Sequence, residues 1–206
     1  VLTTFNFLRK QVDRQDDDLG LCLSDFIAPL ETGKKDYMGT FAVTAGSTIE
    51  EMANAYKEKG DEYNVILTKA LGDRLAEAYA EKLHKMIRDL WGYGTSEQLS
   101  PQDYVSGKFR GIRPAPGYPA CPDHSEKKKI WNLLNVEELV KIKLTENFAM
   151  GPASSISGYY FSHPNARYFS LDFIGEDQVI EYAKRKNLSK KEAEYFLTAH
   201  LSYATE

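Results

Sequence analysis

Cysteine is scarce: Cys22 and Cys121 are the only two in 206 residues, too few for a disulfide framework and in keeping with a reducing compartment. A signal-peptide pattern is missing, and no apolar run approaches the ~20 residues that a bilayer-spanning helix needs. A soluble, cytoplasmic location is therefore expected. Basic excess is missing too: 26 Lys and Arg stand against 30 Asp and Glu, for a formal charge of -4. A nucleic-acid backbone needs a basic stripe, and the two basic runs, Lys127 to Lys129 and Lys184 to Lys186, are short solvated faces at helical spacing. The nucleophile elbow, the phosphate loop and the strand-coupled glycine fingerprint have no match. Cys121 and His124 have Cys-x-x-His spacing, but a structural zinc needs two further ligands, and Cys22, His84, His163 and His200 are scattered. No metal ligand and no catalytic residue is assigned.

What the chain does have is concentrated in RPAPGYPACPDH, Arg113 to His124, where four of its 8 prolines fall. Pro114, Pro116, Pro119 and Pro122 each fix φ and remove a backbone donor, so the segment is neither helix interior nor central strand. A stiff irregular loop loses little entropy on binding. At its head Arg113 carries a planar fork suited to a carboxylate or phosphate. The same arginine is equally suited to pinning the loop, and residue type does not choose between the two. Gly117 supplies positive φ or close backbone approach, and Tyr118 supplies an aromatic face for stacking or a cation. The segment reads as a ligand-binding rim.

Around it, hydrophobic period and turn chemistry give an outline. Thr3 to Gln11, Leu21 to Ile27 and Tyr37 to Thr44 read as strands. Ser47 and Thr48 ahead of Glu50 and Glu51 open a helix that ends near Lys59, stopped by Gly60. From Asp61 to Trp91, Tyr63, Leu67, Ala70, Leu71, Leu75, Ala78, Tyr79, Leu83, Ile87 and Leu90 recur at threes and fours. This is the longest helix, and Gly72 within it predicts a bend or a close contact. A short helix follows near Pro101 to Gly107. Ser125 to Leu134, capped by Ser125, and Val136 to Lys141 read as helical. Leu144 to Met150, Ser157 to Ser162 and Ala166 to Phe173 are β-rich, the last two as a hairpin. Gly175 to Lys186 and Ser189 to His200 close the chain as helices, with Glu192 completing a capping box. Strands, then a helical block, then strands again argue for α+β with a mainly antiparallel sheet rather than strict βαβ alternation.

The string GIRPAPGYPACPDH, followed by LTENFAM and SGYYFSHPNARYFS and preceded by LCLSDFIAP, DYMGTFAVTAG and ALGDRLAEAYAEKLH, closely resembles the reactivation domain of cobalamin-dependent methionine synthase. The resemblance runs through nearly the whole chain. It implies a curved, mainly antiparallel sheet with a long central helix and flanking helices. It also implies that residues 1–206, which open on Val1, are one N-terminally truncated domain of a larger multidomain methyltransferase. The implied ligand is S-adenosylmethionine (AdoMet), with cobalamin carried by a neighbouring domain of the same enzyme and a flavodoxin or similar reductase as partner. Carried over by motif, the donor site comprises Arg113, Ala115, Gly117 and Tyr118, together with Tyr168 and Phe169 from the second hairpin strand. On adjacent strand positions those two side chains face opposite ways, which favours Tyr168. Glu77 matches a further acidic residue near the family's site, and Asp73 one that contacts the docked cobalamin domain. Two departures accompany these matches: Gly107 stands where some relatives have glutamate, and the family's upstream aspartate has no counterpart here. A pure docking module without donor binding, or a free-standing methyltransferase, are the competing readings.

Overall fold

The structure, a computed structural model, describes residues 1–11 and 20–205. These residues divide into two compact units: residues 1–39, 111–129 and 159–206 form the first, residues 40–110 and 130–158 the second.

Among the described residues the first regular strand, β1 (Gly39–Thr44), leads into α1 (Thr48–Glu58) and α2 (Glu62–Leu90), the core of the second unit. Asp61 caps α2 by accepting from the Asn64 N–H at 3.1 Å, and Gly60, at φ +72°, turns the chain between the two helices. Both boundaries lie where the sequence puts them. The buried face does not. Val65, Thr68, Gly72, Ala76, Ala80, His84 and Arg88 point inward, whereas Tyr63, Leu67, Leu71, Leu75 and Tyr79 are exposed. The small-residue stripe wins because it permits close approach: a Cβ on Gly72 would lie 2.7 Å from Ile49 Cγ2 and 2.8 Å from Ser154 Oγ. The close contact expected at Gly72 is thus present. At the end of α2 the fully buried Arg88 donates through Nε to Glu97 at 2.9 Å and stacks over the Phe109 ring at 4.4 Å.

After α3 (Pro101–Val105), the chain passes through α4 (Lys127–Leu134) and α5 (Val136–Leu139) to a two-residue hairpin. Its strands β2 (Lys143–Leu144) and β3 (Met150–Gly151) pair antiparallel, Lys143 with Gly151 and Leu144 with Met150. The next strand, β4 (Ser155–Tyr160), pairs with β1 in a separate two-stranded sheet. Trp131 Nε1 donates to the Ile142 carbonyl at 2.7 Å, satisfying its indole inside the second unit's core.

The first unit contains α6 (Glu176–Lys186) and α7 (Lys190–Leu197), the latter opened by the expected Ser189 and Glu192 capping box. Its aromatic core stacks Tyr159 on Phe5 and Phe7 edge-on, with Phe26 and Phe161 adjoining. Four local expectations fail here. Residues 3–11 join the ladder only through a bridge between Arg9 and Cys22, because Asn6, Phe7, Leu8 and Lys10 are all buried and no alternation survives. Leu23–Phe26 is a 3-10 turn rather than a strand: the Asp25 carboxylate accepts the Cys22 N–H at 3.0 Å and curls the backbone. Residues 166–173 form no strand and hence no hairpin, since Leu171 donates instead to the Pro119 carbonyl at 3.0 Å. Asp123, not Ser125, caps the turn His124–Glu126 that runs into α4, accepting from the Ser125 N–H at 2.7 Å.

Candidate functional site: the proline rim

The rim begins at an antiparallel bridge. Ile112 and Phe161 exchange both backbone hydrogen bonds at 3.0 Å, and the Tyr159 N–H donates to the Pro114 carbonyl at 2.8 Å. Gly111, at φ +89°, is required there, because a Cβ would lie 2.5 Å from the Phe161 carbonyl oxygen. From Ile112 to Pro116 the backbone then behaves like a strand without strand donors. Ile112, Pro114 and Pro116 are buried, while Arg113, Ala115 and Gly117 are half-exposed on the other face. Three of the expected donor-site residues are therefore half-exposed, Arg113 and Ala115 in the segment and Gly117, at φ +95°, in the turn that ends it.

Tyr118 and Pro119 turn the chain back. Cys121 N–H donates to the Tyr118 carbonyl at 2.9 Å, Tyr118 N–H to Ala115 at 3.1 Å and Gly117 N–H to Cys121 at 2.8 Å. The Cys121 thiol adds a contact to the Ala115 carbonyl at 2.9 Å. Burial, with Glu126 and Asp123 nearby, pushes that thiol's pKa up and keeps it protonated. Tyr118, at the tip, is exposed. Opposite the head of the rim, the Tyr168 hydroxyl accepts the Arg113 backbone N–H at 3.0 Å, with the ring still 59% exposed. Phe169 is turned into the core at 8% exposure. Arg113, Ala115, Gly117, Tyr118 and Tyr168 thus come together, whereas Phe169 offers only its backbone.

Glu77 and Asp73 belong to the second unit, on α2. Glu77 is exposed and paired with Arg74 at 2.6 Å, and Asp73 accepts from Ser154 Oγ at 2.7 Å.

Beneath the rim lies an ionic anchor with no counterpart among the sequence motifs. Asp123 accepts from Tyr182 Oη at 2.7 Å and from Lys186 Nζ, and Lys186 also reaches Ser125 Oγ at 2.6 Å and Glu126 Oε1 at 2.9 Å. Glu126 takes Lys129 at 2.8 Å and accepts the Asn6 backbone N–H at 3.0 Å. Burial drives the Asp123 carboxyl upward, but Lys186, Ser125 and Tyr182 outweigh it and leave its pKa below the usual range. The same anchor pushes the Tyr182 phenol up, first through burial and then through Asp123 and Glu126. Asp in a Pro-Asp-His-Ser string marks a cap, but its long-range partner Lys186 lies in a run that reads as solvated. Only the tertiary fold reveals the pair.

A proline-stiffened segment with Arg113, Ala115 and Gly117 half-exposed and Tyr118 exposed at its tip sits in a domain of mixed helix and antiparallel strand pairs, an α+β domain. The chain belongs to the family described as vitamin B12 dependent methionine synthase, activation domain, whose family model matches residues 1–187. It is also similar to a solved crystal structure of the MetH reactivation domain bound to AdoHcy. The two are 49% identical, superpose with a TM-score of 0.93, and the match covers 96% of this chain and 61% of that one. The chain thus spans about three fifths of the solved relative's length.

Proposed function

We propose that this chain binds AdoMet on the rim face formed by Arg113, Ala115, Gly117 and Tyr118, with Tyr168 alongside. In the whole enzyme, on this reading, it supports methionine synthesis from homocysteine by supplying the methyl donor for reductive methylation of cob(II)alamin. The observation that carries the reading is the pattern along residues 112–117, where the motif positions Arg113, Ala115 and Gly117 are half-exposed between buried neighbours. The product-bound relative at 49% identity supports the choice of ligand.

AdoMet supplies a sulfonium methyl group, and its other charges are what the rim suits. Arg113 is placed to pair with the amino-acid carboxylate. Ala115 and Gly117, small and half-exposed, let a ligand approach the backbone closely. The exposed Tyr118 ring offers a π face to the sulfonium or adenine. Displacement at a sulfonium methyl depends on alignment more than on proton transfer, which is what a stiff rim supplies. The attacking nucleophile belongs to the cobalamin of a neighbouring domain, which together with a flavodoxin-type reductase completes the partners of this reading. Both cysteines are buried and unpaired, as suits the cytoplasm, and among the described residues no helix is long and apolar enough to cross a membrane.

Titration calorimetry with AdoMet tests the reading. Saturable heat is expected, and Arg113→Ala should weaken binding by more than ~1 kcal/mol, the scale of a charge-assisted hydrogen bond. Absence of heat, or equal affinity for the variant, refutes it. Ligand-independent association with the cobalamin domain, in the absence of donor binding, would favour docking alone.

A further inference from the structure

We propose that His124 is a positioning residue for Gly117: its neutral imidazole stands where a side chain at Gly117 would be and holds that glycine in the conformation that presents the rim. The inference rests on the AdoMet reading for its consequence in binding, but its geometry is independent of it.

Gly117 adopts φ +95°, a region other residues avoid. A Cβ built there would fall 2.0 Å from His124 Cε1, 2.4 Å from Nδ1 and 2.6 Å from Nε2. The edge of the ring therefore occupies the space on that side of Gly117 where a side chain would otherwise stand. The turn's own hydrogen bonds, Gly117 N–H to Cys121 and Tyr118 N–H to Ala115, fix its ends; His124 braces its middle.

The brace is itself held from two sides. Its neighbour Asp123 is locked by Lys186 and Tyr182. Its Nδ1 lies 2.8 Å from Lys127 Nζ, and since an ammonium only donates, Nδ1 is the acceptor and the ring proton sits on Nε2. Lys127 and Asp123 are the charged groups that act on the ring. Burial and then Lys127 lower its pKa, with Asp123 opposing them. Neutrality matters to the contact: a proton on Nδ1 would break the Lys127 bond and set two cations face to face.

Two-dimensional amide NMR and AdoMet calorimetry on the whole chain, His124→Ala and His124→Gln, test this. In the wild type the Gly117 amide resonance should move with the titration of His124, and neither variant should show that movement. His124→Ala should raise the AdoMet dissociation constant about tenfold, the cost of ordering roughly one freed backbone residue. His124→Gln, which retains an acceptor and some bulk, should recover at least about half of the loss on a logarithmic scale. A Gly117 resonance indifferent to His124, or His124→Ala binding as tightly as wild type, overturns the proposal. If the wild type takes up no AdoMet while Gly117 still follows His124, the donor reading falls and the positioning stands. Should His124→Ala fail to fold, the wild-type and His124→Gln spectra decide alone.

Discussion

Replacing Lys186 with methionine keeps most of the stem and removes the ammonium, which lies 5.3 Å from the Tyr182 ring centroid and 5.6 Å from that of Phe196. That ammonium is shared by Asp123, Ser125 and Glu126, and the two carboxylate side chains are each only 3% exposed. Glu126 retains Lys129, and Asp123 retains Tyr182 and the Ser125 N–H, so one buried carboxylate is left without a cation. Breaking a buried pair in this way costs roughly 3 to 5 kcal/mol. For a chain of this size, even the lower figure means a Tm fall of about 6 to 12 °C at neutral pH.

The pH dependence carries a second, sharper signature. In the wild type, Asp123 has a folded pKa below its unfolded value of ~3.9, so its contribution is present above that pH and is lost as pH falls through the folded value. In Lys186→Met, desolvation is no longer outweighed, the folded pKa rises above the unfolded one, and protonation on acidification relieves the penalty. The deficit should therefore narrow between pH ~7 and pH ~5 in thermal melts followed by circular dichroism. A Tm change under ~2 °C, or a deficit constant with pH, would refute the anchor.

Three further substitutions probe other contacts. Gly72→Ala gains about 1 kcal/mol of helix propensity but must displace Ile49 and Ser154, an overpacking cost of roughly 1 to 3 kcal/mol; a net loss of about 1 kcal/mol is expected in urea denaturation. Glu97→Ala strands the fully buried Arg88 and frees the Arg110 N–H it accepts at 2.8 Å, so a loss of about 3 kcal/mol is expected by the same assay. Tyr168→Phe removes the acceptor for the Arg113 N–H at a site open to water. Stability should change by less than ~0.5 kcal/mol while AdoMet affinity, read by calorimetry, drops by about 1 kcal/mol.

Local chemistry was readable at some helix ends, though not at α4, where Asp123 rather than Ser125 caps. The limits of α2 follow from Asp61 and Gly60, and the Ser189 capping box from two residues three apart. The inward face of α2 was not, because apolar period marks the large residues, whereas Gly72, Ala76 and Ala80 are what let the helix pack closely. Leu21 to Ile27 has strand composition, but one carboxylate, Asp25, captures a nearby N–H and Arg9 besides, and that capture depends on the fold. Likewise Ala166 to Phe173 forms no strand, and its Leu171 bonds to Pro119, a choice of partner that β propensity does not encode. At the rim, the prolines forbid helix interior and central strand and so mark an ordered irregular loop, whereas the half-exposure of Arg113, Ala115 and Gly117 between buried neighbours came from the structure. The brace and the ionic anchor, by contrast, depend on how the chain folds back: His124 meets Gly117 across the turn of its own segment, and Lys186 reaches Asp123 from α6.

Donor binding at the rim is tested most directly by a crystal of this chain grown with AdoMet. The account predicts ligand density along residues 113–118, its carboxylate against Arg113 and Tyr168 beside it. Density for the donor anywhere else, or none at saturating concentration, would contradict it.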